Sequence, residues 1–332
     1  METEALRLAL VGDCMFGRLV NEALEHAAPE FPWGDTLPLL KAADWRFCNL
    51  ECVIADGGAP WSAYPKAFHF RSAAKNVAVL GAARIDAVSL ANNHVLDYGY
   101  DALVEMLEIL DGAEILHAGA GRNFEEASRM ATAEVRGRKL GLLAFTDNEP
   151  EWEASADRPG IFYVPVEPED PRAAQLLESV RSDAAAVDLL IVSAHWGPNW
   201  GYAPPEEHVR FAHALVEAGA GVVFGHSSHV FRGVEFYRDR PIIYGAGDFI
   251  DDYAVDEVER NDESFIFVLE TEDGTPRGLR LHPTVIRNFQ ARQASRTEGK
   301  RIAGKMRQLC RAFHTPANWS DQGHLALGTM GE

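Results

Sequence analysis

The 332-residue chain has no uninterrupted apolar run of ~18 residues, so it offers no candidate transmembrane helix. Its opening, METEALRLALVGD, carries acidic residues and no long apolar core, which is unlike a secretory signal. Cysteine is scarce: Cys14, Cys48, Cys52 and Cys310, with no Cys-x-x-Cys pair. That count makes no disulfide framework, so reduced, buried thiols and a cytoplasmic location are expected. Positive charge is also short, with 31 basic against 50 acidic residues and a formal net charge of −19. Such a balance lacks the basic footprint that nucleic acid demands, and it opposes adsorption to anionic lipid. The expected partner is a small-molecule or polyglutamate-like substrate, with no nucleic acid and no membrane anchor. An anionic substrate would need a local positive centre, from an arginine or from metal ions. Repeats, low-complexity tracts and linkers are absent as well.

What remains is an ordinary globular composition, 47% hydrophobic and 24% charged. A chain this long buries most of its surface on folding. Strand-like and helix-like segments alternate along it. Leu6–Val11, Trp45–Leu50 and Ile85–Ala91 read as buried strands. Ala102, Leu103, Met106, Leu107 and Leu110 recur at helical steps. Met130–Val135 and Leu140–Phe145 flank RGRK as a hairpin, and Val187–Val192 is another buried strand. Pro204-Pro205 opens a helix that Gly219 stops near Ala218. The short strand Gly221–Phe224 follows, then hairpins at Val234–Tyr244 and Phe265–Ile286. Ala294–Phe313 reads as a basic helix followed by a loose end. Glu149–Pro171, rich in Pro, Asp and Glu, reads as a long surface loop. The pattern is that of a layered α/β fold.

Polar residues gather just past the ends of these strands. Asp13 stands in VGDCMFGR, Glu51 in CNLECV, Asn92-Asn93-His94 in ANNHVLD, His195 in SAHWG, and His226 and His229 in GHSSHV. The carboxyl ends of strands in α/β sheets are where ligands bind. Carboxylate, imidazole and amide oxygen are ligands for Zn, Mn or Fe. A pair of such ions activates water and stabilises a developing oxyanion. Each residue alone is an ordinary turn, cap or core residue. The joint pattern is the signal.

Together, GDCMFGR, CNLEC, SLANNHVLDYG, SAHWG, PPEEHVRFAHALVEAGAGVVFGHSSHV and PIIYGAGDFIDDY resemble the CapA (PGA_cap) family, named for poly-γ-glutamate capsule synthesis and related to the calcineurin-like metallophosphoesterases. The resemblance covers Leu8 to Asn288. It implies a metallophosphoesterase-like four-layer α/β/β/α sandwich over residues 1–290, with residues 291–332 as a helical extension packed on or trailing from it. It also implies two divalent metal ions (Mn, Fe or Zn). By similarity Asp13 would hold the first, Glu51 would bridge, and Asn93 and His195 would hold the second, with His226 or His229 completing the set. His94 matches the histidine that gives a proton to the leaving group, and Asp97 would orient it and favour its charged form. Asn92 reads as a local turn-maker.

The chain departs from the family pattern in three places. Asp13-Cys14-Met15 lacks the histidine of Asp-x-His. Ser227 stands where a histidine is common, so His226 is a candidate replacement. GDFIDDY replaces a commoner Gly-Asn-Phe, which adds Asp248 near Asp251 and Asp252, either reaching the site or decorating a hairpin. Arg18 either holds a substrate anion or makes a surface ion pair. Trp196 either packs on the site wall or stacks on substrate. The resulting expectation is a binuclear metal-dependent hydrolase of a phosphoester or amide. The alternative is an accessory protein of polyglutamate synthesis that binds polymer without cutting it.

Overall fold

The computed structural model describes residues 5–328. It is a mixed α/β structure with a 10-stranded and a 6-stranded sheet. In the larger sheet Ala5–Cys14 pairs in parallel with Trp45–Leu50, which pairs in parallel with Ala87–Ser89. In the smaller, Arg138–Thr146, Leu189–His195, Val222–His226 and Arg240–Ile243 run parallel side by side. Both sheets add antiparallel strands at their margins: Glu263–Glu272 and Thr275–Arg287 in the larger, Ala131–Val135 and Val234–Tyr237 in the smaller.

Alternation along the strands sets the layering. Leu8 and Leu10 point into a core shared by both sheets, where Phe47 meets Phe224 edge-on at 5.6 Å. Ala9 and Val11, on the opposite face, pack with Leu103 and Leu107 of helix Gly99–Gly112. Val192 and Val223 of the smaller sheet pack outward on Leu176 of helix Pro171–Ala184 and Leu215 of helix Glu206–Ala218. Burying strands on both faces is why they read as continuous apolar runs.

Two stretches differ from the sequence reading. Glu149–Pro171 is no surface loop: Trp152, Ile161, Phe162 and Val164 are buried, and Gly160–Ile161 forms a short strand with Ala120–Gly121. Between Phe313 and Gly328 the chain is not loose, since Ala317–Trp319 and Leu325–Gly328 extend the larger sheet; the final four residues lie outside those described. Helix Arg296–Cys310 opens on a Ser295/Glu298 capping box and contributes Ile302, Met306 and Cys310 to the inter-sheet core. Among the described residues no helix is long and apolar enough to cross a membrane.

Candidate metal centre

The parallel strands of both sheets deliver their polar ends to one place. Strand Ala5–Cys14 ends beside Asp248–Ile250, with Asp13 in register with Asp248. Gly12 makes that approach possible, because a Cβ there would lie 1.9 Å from the Gly247 carbonyl oxygen. Asp13 is also in register with Asn49, whose Nδ2 donates to Asp13 Oδ1 at 2.7 Å. Asn92 Nδ2 in turn donates to Asn49 Oδ1 at 3.0 Å and to the Leu50 carbonyl at 2.9 Å, while its Oδ1 accepts from the His94 amide at 3.0 Å. Asn92 is thus a turn-maker that also ties two strand ends together.

The smaller sheet supplies the histidines. His195 and His226 are register partners on adjacent parallel strands, so their rings lie side by side with Nδ1 atoms 2.8 Å apart. Ser193 Oγ meets His226 Nε2 at 2.7 Å. Across the sheets, His195 Nε2 lies 3.1 Å from Asn93 Oδ1 and 4.0 Å from Glu51 Oε1. In the turn after Val222–His226 both Ser227 and His229 take positive φ, 93° and 56°. That bend carries the His229 ring back, with Nδ1 2.9 Å from Asp248 Oδ1. Two groups of ligand atoms result, each within 4.8 Å: Asp13, His195 and His226; and Asp13, Glu51, His229 and Asp248. Asp13 is common to both.

Burial dominates the electrostatics. It pushes the Asp13 carboxyl up to about 6, against the opposing charge of His229 and the hydrogen bond from Asn49. Burial also raises Glu51 well above the usual carboxylate range, with Asp13 adding to it, and raises Asp248 and Asp251 likewise. It lowers His195 well below the usual imidazole range and His226 to about 3. Charge of either sign is therefore uncompensated here. Glu51 Oε2 is buried with no hydrogen-bond partner, and the Asp248 and Asp251 carboxyls are buried against each other. Unpaired buried carboxylate oxygens are costly, and neutral imidazoles beside them have lone pairs to give. This donor set fits divalent cations.

His94 is buried beside the cluster without joining either group. Its Nδ1 lies 2.6 Å from Asp97 Oδ2, which also accepts from the Phe70 amide at 2.7 Å. Its ring stacks on Phe70 at 4.0 Å. Asp97 acts to raise the His94 pKa through charge and hydrogen bond, yet burial outweighs it and the net shift is downward. Arg18 makes an ion pair, Nε lying 3.2 Å from Asp252 Oδ2, and its side chain lines the cavity above the cluster. That cavity, of about 530 Å³, is bounded by Lys66, Phe68, His94, Trp200 and His229 among others. Trp196 is fully buried against Phe145 and His208, with Nε1 donating to the Tyr244 carbonyl at 3.2 Å, so it packs in the core behind His195 and is not placed to stack on a ligand. Asp248 reaches the cluster, as does Asp251 through it, whereas Asp252 binds Arg18.

Sequence reading missed Asn49, Ser193 and Lys66. Lys66 Nζ donates to the Asn93 carbonyl at 2.6 Å and pairs with Asp97 Oδ1 at 3.4 Å and Glu149 Oε1 at 3.3 Å. It comes from an irregular stretch with no strand-end signal. Asn49 and Ser193 each lie two residues before a flagged residue, on the same face of a strand, and that period-two spacing was the available clue.

A model of bacterial capsule synthesis proteins, PGA_cap, matches residues 7–253. A probable polyglutamine synthesis accessory protein of Mycobacterium tuberculosis is 35% identical, over 93% of this chain and 92% of that protein. The capsule biosynthesis protein CapA of Bacillus anthracis is 28% identical over 76% of this chain and 61% of its own length. The PGA biosynthesis protein CapA of Bacillus subtilis is 26% identical over 75% and 64%. A crystal structure of a hypothetical protein from Thermus thermophilus aligns with a TM-score of 0.46 at 16% identity, covering 86% of this chain and 96% of that one. From Asp13 to Asp248, the converging strand ends lie within the matched span, and the chain belongs to the PGA_cap family of bacterial capsule synthesis proteins.

Proposed function

We propose that this chain is a metal-dependent hydrolase with a phosphoesterase-type site in a metallophosphoesterase-like sandwich, acting on a phosphoester or amide. The observation that carries the reading is the two ligand groups sharing Asp13, with a buried, unpartnered carboxylate oxygen on Glu51. In this reading Asp13, Glu51, His229 and Asp248 hold one divalent ion, and Asp13, His195 and His226, with Asn93 alongside, hold the other. Manganese, iron or zinc suits such ligands. Bound ions supply Lewis-acid polarisation of the scissile group and a water of lowered pKa.

The chain's own residues do the rest. Asp248 provides an extra carboxylate where Met15 leaves the first motif without its histidine, and His226 serves in place of a histidine at Ser227. His94, with Nδ1 tied to Asp97, has Nε2 as the atom that gives a proton to the leaving group. Arg18 and Lys66, at the cavity wall, orient an anionic substrate. A second reading is favoured by the relatives' names: an accessory protein of polyglutamate synthesis that holds polymer at this site without cutting it. The four buried, unpaired thiols support a cytoplasmic setting for either role.

The test is metal analysis of full-length protein purified without chelator, then a screen of phosphoesters and γ-glutamyl amides. About two ions per chain with metal-dependent turnover supports the hydrolase. Bound metal with polyglutamate binding and no turnover moves the conclusion to the accessory reading. Absence of metal ends both metal assignments.

A further inference from the structure

Among the described residues the exposed large hydrophobic side chains are Leu19, Phe68, Trp200, Val255 and Val258. Two of them, Phe68 and Trp200, line the cavity above the metal-ligand cluster, where Phe70 and Tyr253 also stand in the lining. Isolated surface hydrophobes are commonplace, but two exposed aromatic rings at one mouth over a polar floor mark a binding surface. Phe68 is 59% and Trp200 40% exposed.

The rim is built rather than incidental. Arg232 is buried, and its guanidinium donates to the carbonyls of Gly201 at 2.9 Å, Trp200 at 3.1 Å and Pro198 at 3.2 Å. The Trp200 amide donates to the Ser228 carbonyl at 3.0 Å, and its ring lies 5.6 Å from that of His229. A buried cation is thus committed to holding Trp200 over the cluster. The floor is polar, with Asn93, His94 and His229, and two cations, Arg18 and Lys66, stand in the wall, each with a carboxylate beside it. One anionic head group fits that floor. A long polyanion finds no row of free cations, on a chain of net charge −19.

We propose that the cavity takes an amphiphilic phosphoester, with its anionic head over the metal-ligand cluster and an alkyl or aryl body against Phe68 and Trp200. The fate of the head group rests on the hydrolase reading. The seating of the apolar body does not, so binding and turnover test the two separately.

The experiment is calorimetry on manganese-loaded full-length protein with two non-hydrolysable probes, n-decylphosphonate below its micellar concentration and methylphosphonate. The decyl probe is expected to bind roughly ten-fold or more tightly than the methyl probe, from apolar burial. The variant Phe68→Ser is expected to cut that ratio about three-fold or more, with metal content unchanged. Equal affinities in the wild type, or a ratio unmoved in the variant, overturns the proposal. So does wild-type co-sedimentation with neutral phosphatidylcholine vesicles without discrimination between the phosphonates, which would make the rim a membrane contact. Turnover of p-nitrophenyl phosphate is measured in parallel. Chain-length preference without turnover supports the amphiphile site and removes the hydrolase reading.

Discussion

Asp97→Asn isolates what the buried carboxylate does for His94. The variant keeps the shape of the side chain and an oxygen to accept from the Phe70 amide, now bonded at 2.7 Å. It removes one negative charge 2.6 Å from His94 Nδ1. Replacing a charge-assisted hydrogen bond by a neutral one costs the imidazolium roughly 1–2 kcal/mol, or about one pKa unit. Burial already holds the His94 pKa below its ordinary value, so the protonated fraction at pH 7 falls about ten-fold. A general acid must be protonated, so activity declines as pH rises through the His94 pKa, and in the variant this limb moves to lower pH. Turnover of alkyl phosphates at pH 7 is expected to drop about ten-fold, and p-nitrophenyl phosphate, whose leaving group needs little help, far less. NMR titration of the His94 ring reads the pKa shift without any assumption about turnover. Equal losses on both substrates, or a His94 titration that does not move, would refute the argument and make Asp97 a structural acceptor for Phe70 and Lys66.

Three further outcomes are expected. Glu51→Ala should lose metal during purification more than His94→Ala, measured by metal content per chain, because Glu51 lies within a ligand group and His94 in none; equal losses would contradict the division of roles. Asp248→Asn should weaken metal retention yet raise the melting temperature of metal-free protein at pH 8 by a few degrees. The reason is that burial raises the Asp248 pKa, which makes its ionised form a penalty of roughly 1–3 kcal/mol that the amide avoids; a lower metal-free melting temperature would count against this. His282, lowered to about 4 by burial and by His324, is protonated more readily in the unfolded chain, whose value is near 6.5. Its stabilising contribution is present above about 6.5 and lost as pH falls towards 4, roughly 1–2 kcal/mol after allowance for partial exposure. His282→Gln should therefore flatten the fall in urea midpoint between pH 7 and 5; parallel wild-type and variant curves would show that His282 is not responsible.

The strands and the ligand types were legible in the chain itself. A strand buried on both faces must be apolar throughout, so Trp45–Leu50 and Val222–Phe224 announced themselves, and the polar residues that end them stood out. Asn-Asn-His after Ala91, and Ser-Ala-His at His195, gave their chemistry by residue type alone. What the chain could not state was distance. Asn93 Oδ1 and His195 Nε2 are separated by 102 positions yet lie 3.1 Å apart, because the two sheets pack face to face and present their strand ends to the same side. Asp248 was ambiguous until strand register set it beside Asp13. Lys66 carries no local pattern, since an irregular segment is positioned by what it packs on rather than by periodicity. The net lowering of the His94 pKa has a related cause: the Asp97 neighbour that raises it is visible three residues away in sequence, whereas desolvation is a property of everything folded around the ring. The same holds for the apolar rim. Phe68 and Trp200 are unremarkable in sequence, and only tertiary packing brings their exposed rings to a single opening.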